Sequence, residues 1–255
     1  MNSAFAFLEY HQQSLNRIGT PGLPDGEWPE EWLRIFFKSY PRFEQIALPD
    51  PHSESRRTLA DILDARESSR DFRHDLPMNM QELSIVLSGL RVTRENNNVL
   101  YESRRPYPSA GARYPIEVYV IPFNVQGLEQ RVHHYCPRTH NLEKLWSFSP
   151  EQIKSCFPND SWCHESGAAI VMTGCYYRTA IKYHERGYRY CTLDAGHAAQ
   201  NICLLATNER LASCPYGGYI DEALMRLIDA TPSEEIPLHV VFVGKGGIAA
   251  TKSSS

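Results

Sequence analysis

The stretch at residues 194–211 limits the fold more than any other part of the chain. It opens Asp194-Ala195-Gly196-His197-Ala198-Ala199 and continues through Ile202-Cys203-Leu204-Leu205 with no proline. Ala, Leu and Gln favour helix, so the spacing predicts the best helix of the chain here. The small residues at 195, 196, 198 and 199 allow a neighbouring backbone to approach closely, and a helix this apolar is buried or lies at an interface. It therefore needs another layer to cover it. Residues 116–123, rich in β-branched and aromatic side chains, and 167–176, mostly apolar or small, read as strands, and 238–243 as a last one. Helix starts fall between them. Thr58 can cap a short helix to Ala65, Asn79-Met80-Gln81-Glu82 has the form of a capping box for a helix to about Leu90, and another helix begins near Asp221. A chain of 255 residues supports one sizeable core. The expectation is one α+β domain over 57–250, preceded by an N-terminal helical extension (1–56, with helical patterns near 4–17 and 28–39) and followed by a disordered tail at 251–255.

Charge and cysteine usage exclude several classes. A net charge of −4 supplies no basic surface for nucleic acid. No run approaches the ~18 apolar residues of a membrane span, and the N-terminus lacks a basic n-region, so a soluble cytoplasmic protein is expected. The seven cysteines are odd in number and form no C-x-x-C pair, which suits free thiols in a reducing compartment. Cys156, Cys163 and His164 lack the paired short knuckles of a zinc site, and no metal is expected. Neither a G-x-G-x-x-G nor a Walker A, G-x-S-x-G or H-E-x-x-H motif is present.

Five segments could carry chemistry, and each has a plainer reading. In Arg66-Glu67-Ser68-Ser69-Arg70, residues 66, 68 and 70 share a face if the segment is extended. Two guanidiniums and a hydroxyl there suit a phosphate, but the segment also reads as a solvated linker. In Arg104-Arg105-Pro106-Tyr107-Pro108-Ser109-Ala110-Gly111, prolines stiffen a loop whose small residues let a planar ligand reach the backbone; an ordinary turn before a strand has the same composition. Lys182-Tyr183 lies among Arg178, Arg186 and Arg189, whose charges would lower the Lys182 pKa and favour a neutral amine base; an exposed basic helical turn is the alternative. His197 reads more simply as structural than as catalytic. Gly217-Gly218, between Tyr216 and Tyr219, could turn backbone N–H groups toward a ring.

In this order along the chain, these segments resemble the SagB-type azoline dehydrogenases of the nitroreductase superfamily, and in particular the microcin-type members. The likeness spans about 57–245 and is carried by Arg104 through Gly111 with Tyr114-Pro115-Ile116-Glu117-Val118, by Lys182-Tyr183 with Arg186-Gly187-Tyr188-Arg189, by Gln200-Asn201, by Gly218-Tyr219 and the Pro237-Leu238 strand, and by His134-Tyr135, which matches a strand that family also carries. It implies an FMN-dependent nitroreductase-like fold, with a mixed central sheet flanked by helices, in a homodimer with FMN at the interface. It implies Arg66, Ser68, Arg70 and Lys245 at the FMN phosphate, and Pro108, Ser109, Ala110, Gly111, Gly217 and Gly218 around the flavin. Lys182 and Tyr183 match that family's catalytic pair. The implied reaction removes a Cα proton and a Cβ hydride from a thiazoline or oxazoline in a precursor peptide, with dioxygen as the final electron acceptor and a cyclodehydratase as partner. A general NAD(P)H-dependent nitro- or quinone reductase, or a non-catalytic scaffold subunit of a peptide-modifying complex, are the rival expectations.

Overall fold

A seven-stranded sheet organises the molecule, because its three central strands bury both faces. In the computed structural model, residues 6–15, 29, 37–95 and 103–246 are described. The helix expected near 28–39 falls almost wholly outside the described residues, as does the tail at 251–255. The strands are β1 (Glu44–Ala47), β2 (Ile116–Pro122), β3 (Arg131–Cys136), β4 (Asn141–Ser147), β5 (Ala168–Gly174), β6 (Ala212–Tyr216) and β7 (Ile236–Gly244). Their order across the sheet is β1-β4-β3-β2-β5-β7-β6. The helices are α1 (Ala6–Gln13), α2 (Leu59–Ala65), α3 (Met80–Ser88), α4 (Pro150–Cys156), α5 (Tyr177–Tyr183), α6 (Arg186–Asn208) and α7 (Asp221–Ile228).

Side chains alternate across a strand, and the core follows that period. Ile116, Val118 and Val120 of β2, with Ile170 and Met172 of β5, pack under α3 and α6. Tyr119 and Ile121, with Val171 and Phe242, face the other way, into a cluster shared with α4 and α7. Burying a Val, Leu, Ile or Phe side chain stabilises by about 1.5–3 kcal/mol, so a central strand buried on both faces is held firmly in register. α6 shows the helical counterpart: Cys191, Asp194, Ala195, Ala198, Ala199, Ile202, Cys203 and Ala206 form its buried stripe.

The structure departs from expectation in three places. The long helix begins at Arg186, eight residues before Asp194, and ends at Asn208. Its N-terminus has no side-chain cap, and Glu185 already has helical backbone angles, so no sequence signal marks the start. All six strand pairings are antiparallel, where a mixed sheet was expected; Met78–Val125 is a lone parallel bridge among the described residues. The segment ahead of residue 57 also joins the body, since β1 pairs with β4 as an edge strand. α1 docks on α6 through Tyr10, whose hydroxyl donates to the Glu185 carbonyl at 3.1 Å, and through Arg186, which donates to the Ser14 carbonyl at 3.0 Å.

Candidate active site

The loop before β2 and the short helix α5 meet at one point. Gly111 has φ +59, and a Cβ placed on it would stand 2.6 Å from the Tyr183 hydroxyl. Only glycine adopts that backbone region without cost, and only glycine leaves the hydroxyl room. Ala112 and Tyr114 are also left-handed, with φ 52 and 46, a conformation that costs a non-glycine residue on the order of 1–3 kcal/mol. The strain is offset locally. The Tyr114 N–H donates to the Ser109 hydroxyl at 2.9 Å, and Arg113, almost fully buried, donates from Nε to the Arg178 carbonyl at 2.6 Å. Arg113 thereby ties the loop to α5.

Lys182 and Tyr183 are half-buried, with the Lys182 ammonium 5.7 Å from the Tyr183 ring centre. Burial and then the Arg113 guanidinium push the Lys182 amine below its ordinary pKa. Burial raises that of Tyr183, with Tyr190 adding to it. The cation that crowds Lys182 is thus Arg113, which the sequence reading did not name. The basic neighbours it did name are engaged elsewhere. Arg178 pairs with Glu117 at 2.5 Å, Arg186 donates to Tyr190, and Arg189 to His11. Arg186 and Arg189, three residues apart on one helix face, both reach the end of α1, at the Ser14 and His11 carbonyls.

Beneath the loop lies Asp194, 3 % exposed. Burial pushes its carboxyl up to about 7, against a hydrogen bond from Ser109 and the charge of Arg105. Among the described residues its Oδ2 has no partner, and neither have Nε and Nη2 of the buried Arg105. The sequence reading treated Asp194 only as a helix start.

A second group lies at the other end of the sheet. The Ser69 N–H donates to the Ser213 carbonyl at 2.9 Å and the Arg73 N–H to that of Lys245 at 2.8 Å. These contacts lay the 66–73 segment against the start of β6 and the end of β7. Arg66 is half-buried, and Ser68 and Arg70 are exposed. Arg66 acts on the Cys203 thiol of α6, whereas the Arg70 guanidinium lies 5.3 Å over the Trp162 ring. The Lys245 ammonium pairs with Glu82, the capping residue of α3. Gly217 and Gly218 follow β6 and are exposed; a Cβ on Gly217 would meet nothing within 4 Å. Cationic side chains, a free hydroxyl and an open glycine turn along one edge are the donor set a phosphorylated planar cofactor needs.

The two groups do not meet within one chain. Ser213 registers with Val243, and Val243 with Ala168, whereas Cys175 bonds Pro115 just past Gly174, the far end of β5. Seven residues of β5, at about 3.3 Å each, separate them. A cavity of about 580 Å³ bordered by Phe123, Phe148, Phe157 and His164 is lined by neither group. Among the described residues no cluster of ligands could hold a metal ion, and no helix is long and apolar enough to cross a membrane.

The chain matches the nitroreductase family over residues 63–245. It is a member of that family. A nitroreductase-type protein of Methanocaldococcus jannaschii is 29% identical over 203 residues, covering 79% of this chain and 96% of the relative. The microcin B17-processing protein McbC of Escherichia coli is 31% identical over 147 residues, covering 55% of this chain and 54% of McbC. This nitroreductase-family chain thus aligns with about half the length of McbC. The fold also matches the E. coli microcin synthetase McbBCD complex with truncated pro-MccB17 bound, with a TM-score of 0.64 and 23% identity, covering 94% of this chain and 87% of that one.

Proposed function

We propose that this chain is an FMN-dependent dehydrogenase that oxidises thiazoline and oxazoline rings of a ribosomally made precursor peptide to thiazoles and oxazoles. The observation that carries the reading is the convergence of Lys182-Tyr183 with the Ser109–Ala110–Gly111 loop, two segments about seventy positions apart in sequence that meet at Gly111 and Tyr183. The likeness to a microcin-processing protein supports the substrate class.

In this reading Lys182 is the base. A lysine works as one only when its amine is neutral, and burial and Arg113 both favour the neutral form. It takes the Cα proton of the azoline, while Tyr183, held protonated by burial, orients the ring or relays the proton. Arg66, Ser68, Arg70 and Lys245 would hold the FMN phosphate, with Pro108, Ser109, Ala110, Gly111, Gly217 and Gly218 against the flavin. Held there, FMN would supply the two-electron oxidising power that takes the azoline to the azole, with dioxygen as the final electron acceptor. Because the phosphate group and the Lys-Tyr group lie at opposite ends of β5, the complete site joins one group from each chain of a homodimer. Exposed apolar side chains fit a partner copy: Leu59 is 65 % and Leu193 55 % exposed. A cyclodehydratase that forms the azolines is the further partner, in the cytoplasm.

The test is the FMN-loaded protein with an azoline-bearing peptide. Each ring should lose the mass of two hydrogens. The rival is a general NAD(P)H-dependent nitro- or quinone reductase, favoured by the relative of nitroreductase type that the chain covers over 96% of its length. Rapid bleaching of the flavin by NADPH with no change in peptide mass would establish that rival instead.

A further inference from the structure

α5 has too little of its own to stay where it is. It has seven residues, no side-chain cap and a preceding residue, Tyr176, that is itself helical. Helices this short are marginal without tertiary support. The support comes from Arg178, in its first turn. Its guanidinium is drawn inward to Glu117 of β2 at 2.5 Å, and its carbonyl accepts from Arg113 at 2.6 Å.

Glu117 is the centre of a buried network. Its Oε2 meets His134 Nε2 at 3.1 Å, and His134 Nδ1 meets Glu143 Oε2 at 2.7 Å. The Lys38 N–H donates to Glu117 Oε1 at 3.2 Å, and the Tyr40 N–H to Glu143 Oε1 at 2.9 Å. Glu117, His134 and Glu143 are each at most 2 % exposed. Burial opposes charge on Glu117, but Arg178 first and His134 second hold its carboxyl down to about 2. Burial also opposes charge on His134, and the two carboxylates outweigh it and raise its pKa. Arg105 adds a further cation acting on Glu117, and Glu235 a further carboxylate acting on Arg178. A buried pair is weak evidence for stability, but it fixes geometry, and this one fixes the helix that carries Lys182 and Tyr183.

We propose that Glu117, clamped between Arg178 and His134, is a positioning residue that sets where Lys182 and Tyr183 stand by way of Arg178 and Arg113. The placement of the pair at an active centre rests on the function proposed above; the clamp itself does not. Residues 178 and 182 are one helical turn apart and share a face. Movement of Arg178 therefore carries Lys182 with it, and it also frees Arg113, the cation beside the Lys182 amine.

The experiment reads the Lys182 amine directly. Full-length protein is labelled with acetic anhydride across a pH series, and modification at Lys182 is followed by peptide mass mapping. Glu117→Gln should move the Lys182 titration up toward that of an ordinary lysine, cutting labelling below the titration by about tenfold for each pH unit moved. Should Glu117→Gln not fold, the double variant Glu117→Gln with Arg178→Met, which leaves no guanidinium unpaired, is read in its place and should shift the same way. Arg178→Lys keeps a charge for Glu117 and should restore most of the wild-type titration. A folded Glu117→Gln or double variant that titrates Lys182 as wild type overturns the proposal. If the variants shift Lys182 but even the wild type leaves azolines unchanged, the clamp stands and the azoline reading falls.

Discussion

Asp194 is a carboxyl group in the wrong place for a charge. Its pKa rises to about 7 from an ordinary 3.8, so between those values the folded protein binds a proton the unfolded chain has released. Stability then falls as pH rises through that window, and the loss is complete above pH 7. Asp194→Asn keeps a partner for Ser109 without the charge. It should be more stable than wild type at pH 8, by on the order of 4 kcal/mol, and nearly equal at pH 4. Urea melts at the two pH values check this; equal stability at both would mean that Asp194 is not held neutral. Lys182 carries the matching prediction for chemistry. Lys182→Ala should keep its flavin and lose about 10²–10⁴ in azoline oxidation, with flavin absorbance as the control against loss of cofactor. Tyr183→Phe should lose less if the ring mainly orients the substrate, and as much if the hydroxyl relays the proton. The Lys182-Tyr183 pair was legible through resemblance, but its surroundings were not. Arg113 sits about seventy positions away in the chain, and Asp194 looks in sequence like any acid at a helix start.

At the scale of elements, what was legible had local chemistry to mark it. Thr58 and Asn79 cap α2 and α3 with both hydrogen bonds of a capping box, and β2 and β5 are read from mostly apolar runs. β3 was legible only through the resemblance at His134-Tyr135, and β4 not at all, because His133, His134, Glu143 and Lys144 interrupt any apolar pattern. Of these, His134 and Glu143 face inward to a network that only the assembled sheet creates. The true start of α6 also escaped, since its close packing on α5 has no cap to mark it. That packing depends on Gly187. A Cβ there would lie 2.8 Å from the Ala180 nitrogen and 2.9 Å from its Cα, both backbone atoms that cannot rotate aside. Gly187→Ala should therefore push α5 off α6, costing about 1–3 kcal/mol and lowering turnover beyond what the stability loss explains. Thermal melting and kcat measured at a temperature where the variant is fully folded separate the two effects. An undisturbed kcat would detach the α5–α6 contact from the chemistry.

The whole molecule poses the sharpest question, because the phosphate group and the Lys-Tyr group sit at opposite ends of β5. If a site is assembled from two chains, two defective chains can repair one another. One carries Arg66→Ala with Arg70→Ala, which alone should leave the protein largely without FMN. The other carries Lys182→Ala, which alone keeps FMN without turnover. In a heterodimer of the two, one site receives both defects and the other receives neither. With equal expression and random pairing about half the dimers are mixed, and one site in each is intact, so co-expression should restore about a quarter of wild-type activity per site. A site contained within a single chain predicts no restoration, since every chain then holds one defect. Each parent expressed alone must be inactive, and sedimentation must show a species of about twice 29.1 kDa. Activity recovered at that size would establish the shared site. A dimer of the right mass with no recovery would place the cofactor and the Lys-Tyr pair in the same chain, and the loop from Pro108 to Gly111 would then have to reach a flavin from across the sheet.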